Sequence, residues 1–488
     1  MDFVSWKTLF LLLRRWLAVL LAYAAVVGAT VAHHEPWFDE AQSWLLARDL
    51  SLPSLIFKWI RYEGTPPLWQ VLLWVANRLH LPYATMGWIA ASFAVAGMVV
   101  FLRYSPFPWP VKVLLPFSYY FLYQYAAVAR SYVLLPLLAF MTAALYKHAR
   151  EHTYAFCVVL LLLANVSAHG AILSSGIAGA YAFDVLGSWP GLDLAARRRH
   201  IGAAAGYFMG ILALVAIVWP PADGNFLPGK RPDLAGVESA VAGALVGHAG
   251  LSALILLICL CWCAYRRSLL PFMLPMVLLL IFFARVYVNV WHYGAITVYL
   301  VTALWIAWPS SGEHSDGNRL DRRLQAGMAA LLSVVCIVQL PWAAAAVRYD
   351  LRAPYTGAAD AARYLKSVGA DQRRICAYGF SSVAILPYFD RQIFANQVTS
   401  DRTAFWRWNR ENRIDAKFGR VGTESADYLV LAIKSAGALV KDSPPPELDS
   451  WLAQFGYSLV HVSPGALFWK TGPWETDSYL IYKSDRVP

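Results

Sequence analysis

Charge is what this sequence has least of. Only 15% of its 488 residues are Asp, Glu, Lys or Arg, 59% are apolar, and the mean hydropathy is +0.47. So little charge over such a length excludes a water-soluble globular protein and implies a chain that crosses a bilayer many times. Cysteine is scarce too. Of six, Cys157, Cys259, Cys261, Cys263 and Cys336 lie in apolar runs, and Cys376 has no obvious partner in its region. No structural disulfide is expected. The Cys259-x-Cys261-x-Cys263 spacing is not that of a zinc site and has no histidine beside it, which leaves small packing residues. No internal repeat or low-complexity tract stands out.

What is there is a series of apolar runs long enough to cross ~30 Å of hydrocarbon. They fall at 16–32, 83–102, 110–127, 131–147, 153–168, 170–187, 201–219, 247–264, 269–288, 290–308 and 325–346. The first reads as an uncleaved span: a signal peptide ending at Thr30-Val31-Ala32 would have an unusually long basic region before it. Pro66–Leu79 is short for a crossing and ambiguous by length, and the cations decide for a surface or re-entrant helix. If it stays at the surface, Arg103 and Lys112, Lys147 and Arg150, Arg197–Arg199, Arg266 and Arg267, and Arg319, Arg322 and Arg323 all share the cytoplasmic side with the N-terminus. The reading is therefore an α-helical polytopic membrane protein of about eleven spans. The +11 formal charge follows from this topology; Lys and Arg form no stripe for nucleic acid.

On this topology the long loop 33–82, the turns near Arg130, His169 and Arg285–His292, the loop 220–246 and the C-terminal region share the non-cytoplasmic face. Arg130, Arg285, Lys230 and Arg231 are cations on the disfavoured side, and an anionic ligand is one reason for them. The aromatic run "SYYFLYQYAAV" before Arg130 reads as interface and packing. From Tyr349 the composition becomes that of a small soluble domain, so residues 1–348 form a transmembrane domain and 349–488 a non-cytoplasmic α/β domain. Within it 357–368 and 446–455 read as helices, and "RRICAYGF", "ADYLVLAI" and "DSYLIYKS" as strands. It carries no Gly-rich phosphate loop, nucleophile motif or metal spacing, so its part is to cover or shape a site.

Chemistry concentrates in loop 33–82. "EPWFDEAQSWLLARDL" opens a helix with two adjacent carboxylates, Asp39 and Glu40. The plain reading is a capping box with Asp39 as N-cap and Gln42 three residues on, a feature worth ~1 kcal/mol that a Ser would supply equally well. Later, "RYEGTPPLWQVLLW" breaks the chain at Gly64-Thr65-Pro66-Pro67 and starts another helix.

Together with "VARSYVLLPLL" and, more weakly, "NVSAHGAIL", these stretches resemble the membrane glycosyltransferases of the GT-C fold. The branch is that of the protein O-mannosyltransferases and the lipid A aminoarabinose and galacturonic acid transferases (glycosyltransferase family 39-like). The motifs cover about residues 1–190; the rest matches only in layout. The resemblance implies a sugar donor linked to a polyprenyl phosphate, undecaprenyl phosphate in a bacterial inner membrane, and an acceptor hydroxyl on lipid, polysaccharide or protein. It gives the role of catalytic base to Asp39, with Glu40 beside it. The family's second acidic position has no match, since no Asp closely follows Arg130-Ser131-Tyr132. That departure weighs against a carboxylate metal site, although a divalent metal stays open and no other cofactor is implied.

Physical reasoning reaches the same roles. A lipid phosphate is already a good leaving group, so transfer needs one base for the acceptor hydroxyl and fixed positive charge for the departing phosphate. Arg suits the latter because its planar fork binds oxygens in pairs. Arg130, Arg285 and Lys230-Arg231 are the phosphate candidates, against helix-end or lipid-headgroup contact. Glu63, His169 and His292 are substrate-binding candidates, against solvated or space-filling roles. The competing class is a transporter or flippase of lipid-linked sugars, which should show mid-membrane charge or a repeated half. Neither is visible. A non-catalytic scaffold would leave the acidic loop no purpose beyond capping.

Overall fold

The structure is a computed structural model that describes residues 6–224, 232–309, 319–397, 403–409, 425–434 and 446–486. Most of the chain is helical. Helix α1 (Trp6–Val31) leads to α2 (Phe38–Asp49), a helical stretch over residues 52–63, and α3 (Leu68–Arg78). The eleven residues of α3 rise only about 16 Å, half a hydrocarbon core. The bundle continues through α4 (Thr85–Tyr104), α5 (Leu134–Tyr146), α6 (Thr153–Ala164), α7 (Ala168–Gly187), α8 (Leu194–Val218), α9 (Leu234–Ala244), α10 (Ala249–Tyr265), α11 (Leu270–Arg285), α12 (Gly294–Ala307) and α13 (Arg319–Asp350).

Among the described residues, five helices are long and apolar enough to cross a membrane: Thr85–Tyr104, Ala168–Gly187, Leu194–Val218, Val290–Ala307 and Arg319–Asp350. The pair α9 and α10, bent by 73°, makes a sixth if it is counted as one span. Four shorter apolar helices accompany them: Arg15–Val31, Ser131–Tyr146, Thr153–Ala164 and Leu270–Arg285.

The expected straight crossing over 110–127 is a different object. The chain there is a short helix Trp109–Leu114, a tight turn Leu115–Phe117 and one wide turn Tyr120–Gln124. Pro116 removes a backbone donor in mid-run, and the freed groups are met by side chains. The tyrosines of this stretch are buried. Tyr120 donates its hydroxyl to the carbonyl of Gly243 at 2.8 Å, and Tyr23 of α1 donates to the carbonyl of Phe121 at 2.7 Å. Helix α12 runs fully buried through the middle of the bundle. Gly294 at its start has no room for a side chain, because the rings of Tyr120 and Tyr125 occupy that space.

After Asp350 the chain forms α14 (Ala358–Ser367), β1 (Ile375–Tyr378), β2 (Tyr428–Ile433), α15 (Pro446–Ala453), β3 (Tyr457–Ser463), β4 (Ala466–Trp469), β5 (Gly472–Thr476) and β6 (Ser478–Ser484). The sheet order is β1-β2-β6-β3, with β1 and β2 parallel and the other pairs antiparallel. The hairpin β4–β5 stands apart and points into the helical part, where the Lys470 N–H donates to the Tyr119 hydroxyl at 3.2 Å. One continuous apolar core joins the two parts.

Candidate functional site

Helix α2 starts two residues earlier than its capping pattern suggests. Phe38, packed edge-on against Phe380 and Trp408, is drawn into the first turn, and Trp37 becomes the cap residue. Glu40 therefore occupies the third helical position, and its Oε2 accepts the Trp37 N–H at 3.1 Å. The expected box of Asp39 and Gln42 is thus replaced by one of Trp37 and Glu40, and Asp39 has no capping duty. Its Oδ2 lies 2.9 Å from Arg130 Nη2, and its side chain stays 31% exposed.

Glu40 is fully buried and does the bracing. Its Oε1 accepts the N–H of Ala129 at 2.6 Å, fixing the residue next to Arg130 against the start of α2. Its Oε2 also meets Nε2 of His34 at 3.1 Å, and Nδ1 of the same ring meets Asp350 Oδ2 at 2.8 Å. Both ring nitrogens face carboxylates, so His34 is an imidazolium. Burial works against that charge, but Glu40 and Asp350 raise the pKa from 6.5 to about 10.

Arg130 sits in extended backbone just before the tight turn Ser131–Val133. Its guanidinium lies over the rings of Trp37 and Tyr132, at 5.6 and 5.3 Å. One terminal nitrogen is used by Asp39; the other, Nη1, is buried with no hydrogen-bond partner. Around the Tyr132 ring also stand His169, at 5.5 Å, and His292, at 5.6 Å, with their own rings 4.8 Å apart. Both nitrogens of His169 and Nδ1 of His292 are buried and unpartnered. Ser167 caps α7 and the Tyr299 hydroxyl donates to the His169 carbonyl, so the backbone that carries this ring is fixed. Buried polar nitrogens left open in one cluster are uncommon in folded proteins and fit a polar ligand.

Glu63 ends its helix where Gly64 turns left-handed (φ 63°). Its Oε1 accepts from Gln42 Nε2 at 2.9 Å. Burial pushes the Glu63 pKa up to about 8, opposed by the Gln42 bond and helped by the charge of Asp39. Gln42, one turn after Asp39, also bonds both backbone groups of Trp406, donating to its carbonyl at 2.7 Å and accepting its N–H at 2.8 Å.

Five of the sequence candidates, Asp39, Glu40, Arg130, His169 and His292, come together in this way, with Glu63 reached through Gln42. Arg285 does not join them: it is exposed at the last turn of α11 and has no ion pair among the described residues. Its place is the ordinary one for a cation at a helix C-terminus. Lys230 and Arg231 lie outside the described residues. Among the described residues no three His, Cys, Asp or Glu side chains gather in a way that could hold a metal ion, and all six cysteines are free.

Sequence reasoning missed His34, Gln42, Asp350 and Trp406. The pair His33-His34, six residues before Glu40, was a usable signal for the first. Asp350 and Trp406 lie more than 300 residues away from α2, and nothing local marks them. In comparisons with known proteins, no family model, no curated protein and no solved structure matches the chain.

Proposed function

We propose that the chain is an inverting membrane glycosyltransferase of the GT-C type, taking a sugar from a polyprenyl-phosphate donor and passing it to a hydroxyl acceptor. The observation that carries this reading is the division of labour at α2. Glu40 caps and braces, which leaves Asp39 partly exposed and opposite a guanidinium whose Nη1 is buried and unused. In the reaction, Asp39 accepts the acceptor's hydroxyl proton as the oxygen bonds to the anomeric carbon. The bond from that carbon to the phosphate oxygen breaks, and the electron pair leaves with the polyprenyl phosphate. Arg130, with His169 and His292 beneath Tyr132, offers donors to the charge that gathers there. A single displacement inverts the anomeric centre.

The topology that goes with this reading counts the shorter apolar helices, the bent pair and the broken stretch Trp109–Gln124 as crossings, eleven in all. The positive-inside pattern then puts the site and the C-terminal α/β unit on the non-cytoplasmic face, the periplasmic one in a bacterial inner membrane.

Asp39→Asn keeps the size of the side chain and removes the base. With a radiolabelled polyprenyl-phosphate sugar, transfer by this variant should fall by about 10²–10⁴-fold while donor binding persists. Full transfer at normal expression would overturn the mechanism. Movement of the intact lipid-linked sugar across a vesicle bilayer, with no sugar released to any acceptor, would instead mark a transporter.

A further inference from the structure

A second group of side chains is organised by Gln42, one helical turn along α2 from Asp39. Segment Thr403–Asn409 comes from the C-terminal part of the chain, yet it is clamped to α2 by two side chains seven residues apart. Gln42 holds both backbone groups of Trp406, and Asp49 Oδ2 accepts the N–H of Ala404 at 2.6 Å. Two turns separate the clamps, so they share one face of the helix. The clamped segment presents Trp406, Arg407 and Trp408, each half-buried, along its rim. Trp408 is set by edge-on contact with Phe38 at 5.7 Å and by Phe380 at the same distance. Trp406 stands 6.5 Å from Trp408, steeply inclined to it, and its Nε1 is buried without a partner.

Beside the indoles, Glu63 uses one oxygen for Gln42; Oε2 has no hydrogen bond among the described residues. The group thus combines two indoles at a steep angle, a buried indole N–H without a partner and a carboxyl oxygen, with Trp406 and Glu63 both held by Gln42, one helical turn from Asp39. This is not a place built for a peptide: no strand edge is left open on Trp406, whose backbone N–H and carbonyl are both taken by Gln42. It is a place for a ring with polarised C–H groups on its faces and hydroxyls on its rim. The negative face of an indole attracts the former, and the N–H and carboxyl pair with the latter.

We propose that Trp406, Trp408 and Glu63 form the acceptor subsite and that the acceptor is a sugar ring, so that the product is a glycosidic bond between two sugars. The inference rests on the transferase reading for the words acceptor and product; the binding of a sugar ring at Trp406 does not. The bond balance is that of the reaction above, with a sugar hydroxyl as the group that loses its proton to Asp39.

The test is saturation-transfer NMR on the full-length protein in detergent, with a panel of methyl hexosides and short oligosaccharides at millimolar concentration. A Ser/Thr peptide of similar mass is run in parallel. The expected result is transfer to the ring C–H protons of at least one sugar and none to the peptide. Trp406→Ala should weaken that sugar by roughly tenfold, and Trp406→Phe by less, since an aromatic face remains. Gln42 holds Trp406 only through its backbone, so truncating the indole leaves the clamp in place, and a native elution profile checks the fold. Binding of the peptide in a Trp406-dependent way, or sugar binding that Trp406→Ala leaves unchanged, would overturn the inference, as would no sugar binding at all. Sugar binding lost in Trp406→Ala, with no transfer from any polyprenyl-phosphate donor, would keep the subsite and sink the transferase reading. Transfer to peptide without sugar binding would do the reverse.

Discussion

Asp39 and Glu40 are neighbours in the chain but point about 100° apart on the helix, and that angle separates their work. Glu40 turns inward to three hydrogen-bond donors, Trp37 N–H, Ala129 N–H and the His34 ring, while Asp39 turns to Arg130. The weight of the inward side rests on His34, a buried cation between two buried carboxylates. Replacing it with the neutral isostere in His34→Gln leaves Glu40 and Asp350 short of charge compensation and should cost about 3–5 kcal/mol. The pH dependence fixes the sign. The folded value is raised, from 6.5 to about 10, so the stabilisation is fully present below pH 6.5 and is lost as pH rises through 10. Thermal melts of wild type and variant should therefore differ most at pH 6 and converge above pH 10. A gap that stays constant over that range would show that His34 is not the charged bridge.

Helix α2 owes its position to contacts that arrive from opposite ends of the chain. Trp44, Leu45 and Leu46 bury its inner surface, and the sequence shows this apolar face plainly. Two polar residues at its end make contacts that no local pattern shows. Arg48 donates to the carbonyl of Phe389 at 2.7 Å, and Asp49 accepts from Ala404. These partners lie 341 and 355 residues away, and a hydrogen bond to a distant backbone group leaves no periodicity to read. The same holds for the stretch 110–127. Its apolar composition announces a crossing, but Pro116 and the tyrosine hydroxyls that reach across to other helices decide that it is broken. Asp49→Ala tests the clamp as an element. The variant leaves the Ala404 N–H unpaired, at about 1–3 kcal/mol, and should loosen the segment 403–409. Limited proteolysis should then cut near Arg407 at least several-fold faster than in wild type. Equal cutting rates would mean that the Gln42 clamp and the aromatic contacts of Trp408 hold the segment without Asp49.

For the whole molecule, the parts legible in the sequence are those set by local pattern. The helix over 357–368, three strands of the sheet and the apolar runs all follow from periodicity, whereas the hairpin β4–β5 does not, because its reason for being is the cleft it fills. At its tip Lys470, in a left-handed turn (φ 58°), places its ammonium 3.7 Å from the centre of the Trp342 ring and 4.5 Å from that of Trp469. The side chain is nearly buried, and burial pushes its pKa down from 10.5 to about 7. A lysine lowered in this way is easier to bury once neutral, so its docking strengthens as pH rises from 7 to 10.5, where the unfolded chain binds the extra proton. That trend runs against the one from His34 over nearly the same window, and the two offset each other in the intact protein. Wild-type stability should therefore change little between pH 7 and pH 10, and only single variants should uncover the slopes. Lys470→Met keeps the length of the stem and removes the charge. Relative to wild type, its melting temperature should be most favourable near pH 7, and the difference should shrink steadily toward pH 10.5. A difference that does not change with pH would mean that the ammonium stays charged against the two indoles, and that the hairpin is held by cation–π attraction rather than by burial of a neutral amine.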